Sequence, residues 1–250
     1  MVESVERRAV SRRSQLIFFA AGAIALSVLI ERAGPAQLLA DVRQAGWAVP
    51  GIVAVYGFVY TLNTMAWRLT MIEPPRLGFV RAWVINVAAF SINYLTPFAS
   101  IGGEPFKIVA ASQWMGPRNG AASVLNYRLV HMQAHILFFL TGVILAFVLL
   151  PPGTIATPLL VTMAVALLVI GSLLLAVHRE GVIERLFDIA TRIPLLKRFA
   201  LMLEPRRAAL VEVDRQLIEF HRASPARYYS ALLLEYAARV VSMFEFFIIA

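Results

Sequence analysis

Apolar runs separated by short basic turns organise this chain. The run 15–30 is uncharged and follows Arg7, Arg8, Arg12 and Arg13. A signal peptide begins in a similar way, but Glu31-Arg-Ala-Gly offers no small-residue cleavage site, so the run reads as a retained first helix. A second span covers 45–67. A third, 82–95, continues a helix begun near Gly78. The stretch 129–177 contains no Asp, Glu, Lys or Arg. Pro151-Pro152-Gly153 and Pro158 split it into spans at 131–150 and 158–177. A last span runs from Tyr228 to the end. Each is near the ~20 residues that a bilayer requires. Two further pieces are amphipathic. Residues 35–44 set Leu38, Leu39 and Val42 on one face, suited to lying along a membrane surface. The segment 179–224 alternates charge with Leu203, Leu210, Val213, Leu217 and Phe220, which suits one or two surface helices. Its basic residues could touch anionic headgroups or simply be positive-inside decoration.

Composition agrees with this pattern. The 250 residues are 60% hydrophobic and 15% charged, with mean hydropathy +0.74. A soluble domain rarely carries so little charge. There is no cysteine, which excludes disulfides and thiolate metal sites. The net charge of +8 does not indicate nucleic acid, because the basic residues lie between apolar spans. Four arginines precede the first span, three lie in 68–81 and ten basic residues in 178–227; 31–47 has two and 151–157 none. The positive-inside rule puts the first three regions, and with them the amino terminus, in the cytoplasm.

That orientation has a consequence for parity. The third span and the span ending at Leu150 both end outside, so the chain must descend between Thr96 and Arg118. The only candidate is the segment containing Asn93, Pro97, Gly102, Gly103, Glu104 and Lys107. Pro97 breaks or bends a helix, and the two glycines allow a sharp turn. Non-helical backbone and charge survive at membrane depth only inside protein or beside a water-filled cavity. A broken or re-entrant helix is therefore expected over 96–117, with Gly116-Pro117 as the inner turn. The next stretch, 119–150, would be ~48 Å long as one helix. Its first half carries Asn126, Arg128, His131, Gln133 and His135, and is expected to be buried in protein.

At these residues a family resemblance appears. Asn93-x3-Pro97, Gly103-Glu104-x2-Lys107, Ala121-Ala-Ser-Val and the later Arg128 resemble the flippase-like transmembrane family. This is the membrane region of lysylphosphatidylglycerol synthases, also called multiple peptide resistance factors, and it also occurs as stand-alone proteins. The resemblance runs from the second span onward. It implies a multi-pass protein of the bacterial inner membrane that binds or moves lipids, without the soluble aminoacyl transferase domain. Family members are usually longer, and Phe-Phe-Ile-Ile-Ala250 ends in mid-span, so a truncated carboxy terminus is expected.

The expected fold is an all-α, polytopic helical bundle forming one transmembrane domain over 1–250. The expected function is binding or translocation of a lipid with a polar or charged headgroup, an anionic phospholipid or a glycolipid. The alternative is a non-transporting membrane partner of a lipid-modifying or glycosyl-transferring enzyme. Neither reading is enzymatic. Glu104, Lys107, Arg128 and Asn93 are the candidate headgroup residues, with the first three as one charged cluster of net charge +1. Two other readings stay open: Glu104 and Lys107 as a buried ion pair, and Arg128 paired with Glu104 or capping carbonyls. His131, His135, Glu235 and Arg239 are cavity candidates. His131 and His135 have metal-ligand spacing, but no Glu or Cys shares their turn, so no metal and no cofactor is expected. Glu235 and Arg239 could equally be an internal salt bridge, with Glu245 off their face. Trp47, Trp67, Trp83 and Trp114 sit near span ends and read as interfacial anchors rather than ligand-stacking residues.

Overall fold

The computed structural model describes residues 27–28, 30–71, 77–95, 102–151, 156–180, 191–192, 204 and 207–249. Pro97, nearly all of 15–30 and most of 181–206 lie outside the described residues. The chain divides into two compact units, 1–53 and 54–248. In the first, helix α1 (Pro35–Ala45) starts with proline at its first turn and is flanked by Gly34 and Gly46, both at positive φ. Leu38, Leu39 and Val42 are exposed, as an amphipathic surface helix requires.

Helix α2 (Ala48–Leu69) leads into the second unit. There follow α3 (Phe79–Leu95), α4 (Gly103–Met115), α5 (Pro117–Leu149), α6 (Ala156–Glu180), α7 (Arg207–Ala223), α8 (Pro225–Ser242) and the short α9 (Phe244–Ile249). Among the described residues there is no strand, and the fold is all-α. Among the described residues, three helices are long and apolar enough to cross a membrane: Ala48–Leu69, Pro117–Leu149 and Thr157–Ala176.

Side-chain contacts fix the helix directions. Thr64 and Tyr60 of α2 meet Asn86 and Phe90 of α3, so these helices run antiparallel. Gly103, Lys107 and Trp114 of α4 meet Asn93, Asn86 and Arg81 of α3 in that order, again antiparallel. Gly120 approaches Ser112 near the α4–α5 turn, and Arg128 reaches Glu104 further on, so α5 runs back along α4. The chain thus goes up, down and up over α3, α4 and α5. The reversed helix of the three is α4. It has 13 residues, ~20 Å, and is too short to cross a ~30 Å core alone. Its first residue lies level with Ala89, more than a turn before α3 ends.

The two glycines of the motif have different jobs. Gly102 has φ −66 and ψ −31, which any residue can adopt, so it supplies no special turn. Gly103 is needed because a Cβ there would sit 2.1 Å from the Ala89 carbonyl oxygen. The sharp reversal is made by Gly116, at φ 80, with Pro117 opening α5. Helix α5 is one continuous helix of 33 residues, ~50 Å. Its buried positions concentrate between Gly120 and Ile136, as its polar first half predicts. The core gathers Ala66, Trp67, Met71, Val124, Tyr127, Val130, Phe220 and Tyr228 from α2, α5, α7 and α8.

Helix α7 turns Phe220 and Asp214 inward. It exposes Arg215, which pairs with Glu212 and Glu219 on the outer side. Helix α8 runs antiparallel to α2: Asn63 meets Glu235, and the Met71 carbonyl accepts a hydrogen bond from the Arg227 guanidinium. Arg68, Arg81, Arg118 and Arg227 therefore gather at the end of the bundle where α4 turns into α5.

Candidate functional site

The first turn of α4 is built by α3. The Gly103 amide donates to Asn93 Oδ1 at 2.6 Å, which satisfies one of the free amides at the helix start. Asn93 is thereby occupied as a cap. Glu104 follows in the first turn, where the helix dipole favours a carboxylate. Arg128 of α5 meets it at 3.1 Å, both side chains about a quarter exposed. The intrahelical neighbour Lys107 is not its partner.

Lys107 instead turns into the core and is 4% exposed. Its ammonium donates to Asn86 Oδ1 at 2.7 Å and lies over two rings, Trp67 at 4.0 Å and Tyr127 at 3.8 Å. Desolvated cation–π contacts can contribute about 2 kcal/mol each. Asn86 is held in turn, because its Nδ2 donates to Thr64 Oγ1, which donates to the Tyr60 carbonyl. The three charges expected as one cluster all line the smaller recess, where Glu104 and Arg128 form the ion pair and Lys107 is held by Asn86 and two rings. Trp67 is not an interfacial anchor: it is fully buried and stacks on the ammonium. Trp47 is 91% exposed, and Trp114 stacks under Arg81.

A second polar centre lies beside the first. Glu235 of α8 is fully buried. Asn63 Nδ2 donates to its two oxygens at 3.0 and 3.1 Å, and His131 Nδ1 lies 2.6 Å from Oε2. Arg239, one turn on, is looser at 3.7 Å. His135 bonds the His131 carbonyl through Nδ1 at 2.9 Å, and the two rings meet edge to face at 4.6 Å. Both imidazoles therefore have a nitrogen committed to a protein partner. Glu245 lies in α9, away from this centre, and accepts from the Tyr56 hydroxyl at 2.6 Å.

These groups border two adjoining recesses. The smaller, about 20 Å³, is lined by Asn86, Asn93, Glu104, Lys107, Arg128 and His131 among others, and has room for about one water. The larger, about 550 Å³, is in the range of small-molecule sites. Its lining combines Arg128, Arg239, His131 and His135 with Met132, Ile136, Ile170 and Leu174. Phe90, Asn93, Arg128 and His131 belong to both. The larger recess therefore offers cationic hydrogen-bond donors beside an apolar wall.

Sequence reasoning missed Asn63, Asn86 and Thr64. Each is a short polar side chain in an otherwise apolar helix, and that was the available signal. Trp67 and Tyr127 gave none, because aromatic residues near span ends usually mark the interface.

The model of the lysylphosphatidylglycerol synthase TM region matches residues 15–250. No curated protein and no solved structure matches the chain. The match and the apolar spans make this a multi-pass membrane protein related to lipid handling. The polar centre on α3, α4, α5 and α8, built around Asn93, Gly103, Glu104, Lys107 and Arg128, is thus found in a chain that belongs to the lysylphosphatidylglycerol synthase TM-region family.

Proposed function

We propose that the protein binds a membrane lipid through an anionic headgroup and carries that headgroup across the bilayer. The observation behind this reading is the larger recess, where Arg128 and Arg239 stand beside an apolar wall from α5 and α6. Guanidinium groups offer planar, bidentate donors to phosphate oxygens. The apolar wall suits the start of acyl chains, which would stay in lipid. The carboxylates are engaged in ion pairs, which favours a binding or transport role over an enzymatic one.

The basic end of the bundle, with Arg68, Arg81, Arg118 and Arg227, is cytoplasmic on this reading, and the membrane is the bacterial inner membrane. The test is headgroup translocation in liposomes, using a fluorescent anionic phospholipid and an impermeant quencher. Folded Arg128→Gln protein should scramble or flip the probe at least tenfold more slowly than wild type. Equal rates would reject the role of the recess. A partner protein that co-purifies through 179–224, with no translocation, would favour the alternative of a membrane partner for a lipid-modifying enzyme.

A further inference from the structure

The His131–Glu235 pair is not needed to explain headgroup binding, and its burial is costly. A carboxylate with no exposure persists only if it is hydrogen-bonded and charge-compensated. Two groups stand within reach of that role. His131 Nδ1 is 2.6 Å from Oε2, whereas the Arg239 guanidinium stands 3.7 Å from the same oxygen. Arg239, His131 and His135 all line the larger recess, and the two imidazole rings are in contact at 4.6 Å. One cation therefore serves two anions, the buried carboxylate and whatever anion enters the recess.

The surroundings of the pair contain few other titratable groups. From α2 come Asn63 and Tyr60; from α3, Tyr94 near Tyr60; from α4, Lys107; from α5, Tyr127, Arg128 and His135; from α8, Arg239. Among these, the imidazoles ordinarily change charge between about pH 5 and 8, and the fully buried Lys107 ammonium is the other group whose proton is in play there. With His131 neutral, Arg239 is the nearest guanidinium to balance Glu235. With the pair holding one more proton, imidazolium and Asn63 satisfy the carboxylate, and Arg239 is released toward the recess. The converse follows by linkage: an anion that draws Arg239 away leaves Glu235 under-compensated and raises the proton affinity of the pair.

We propose that the buried His131–Glu235 pair is a proton-binding site linked to the lipid recess, so that seating an anionic headgroup takes up one proton. The inference rests on the headgroup reading given above. It makes the lipid–proton complex the form that binds tightest. A proton gradient could then bias an otherwise passive carrier. The proton comes from water in the recess, which His131 lines directly, resides on the pair, and leaves when the headgroup leaves.

The test uses the full chain purified in detergent and a short-chain phosphatidylglycerol, whose phosphodiester keeps one negative charge over this pH range. Calorimetric titration in buffers of different ionisation enthalpy counts the protons taken up. The expected result is uptake approaching one proton per lipid, with affinity falling up to tenfold per pH unit as pH rises. His131→Gln keeps a donor beside Glu235 but cannot titrate, so its binding should persist with a flat pH profile. His135→Gln should keep the wild-type slope. Zero proton uptake by wild type, with binding intact, overturns the linkage while leaving the headgroup reading standing; that result does not depend on any variant folding. A steep profile in His131→Gln overturns the assignment of the site, to His135 if His135→Gln is flat and to Lys107 if both stay steep. No lipid binding at any pH removes the headgroup reading, and the linkage with it.

Discussion

Lys107 and Arg128 are both cations beside Glu104 in a membrane bundle, yet their surroundings differ. Lys107 is buried between Trp67 and Tyr127, with its ammonium on Asn86, and borders only the smaller, water-sized recess. Arg128 is about a quarter exposed, holds Glu104 at 3.1 Å and borders both recesses. A buried cation can hold helices together but is poorly placed to meet a lipid. A partly exposed one is weaker glue and a better ligand. The difference separates what the motif does for the fold from what it does for a substrate.

The sharpest way to break this division is to attack the fold side. Gly103→Ala puts a methyl into the Ala89 carbonyl, a backbone atom that no rotamer change can move. A loss of about 3 kcal/mol or more is expected, seen as lost monodisperse protein in detergent. Lys107→Ala empties the cage and leaves Asn86 Oδ1 without its donor. About 2–4 kcal/mol should be lost in thermal unfolding, with lipid affinity falling only as far as folded protein is lost. If Lys107→Ala is stable but no longer binds lipid, the division is wrong.

On the ligand side the effects are smaller and of the opposite kind. Arg128→Lys keeps the charge and loses the planar fork, so it should weaken anionic lipid binding by about tenfold, ~1.4 kcal/mol, with little change in unfolding temperature. Asn93→Ala removes one cap bond from α4 and should cost about 1 kcal/mol of stability. A loss of lipid selectivity in Asn93→Ala, with stability intact, would move Asn93 to the ligand side.

Much of this was legible in the sequence. The parity of basic loops singled out 96–117, and α4 there is a short helix antiparallel to both neighbours. The length and buried first half of α5 followed from hydropathy and from Asn126, Arg128, His131 and Gln133. Gly116-Pro117 as a turn was readable because positive φ favours glycine and the first helical turn accepts proline. Spacing could not assign the partners. Glu104 and Lys107 are three apart, yet they diverge, because Lys107 points between α2 and α5 and Glu104 toward Arg128. The role of Gly103 was also hidden, since a close approach to Ala89 depends on how α3 and α4 pack. Asn63 and Glu235 are 172 residues apart, and only the antiparallel α2–α8 pairing joins them.

The account stands on one claim, that Arg128 and Arg239 select an anionic headgroup. Native mass spectrometry of protein extracted into detergent, with equimolar anionic and zwitterionic phospholipids, tests it directly. Wild type should retain the anionic lipid in preference, and folded Arg128→Gln and Arg239→Gln should each lower that preference severalfold, while Lys107→Met keeps it. An unchanged anionic-to-zwitterionic ratio in both arginine variants would contradict the claim.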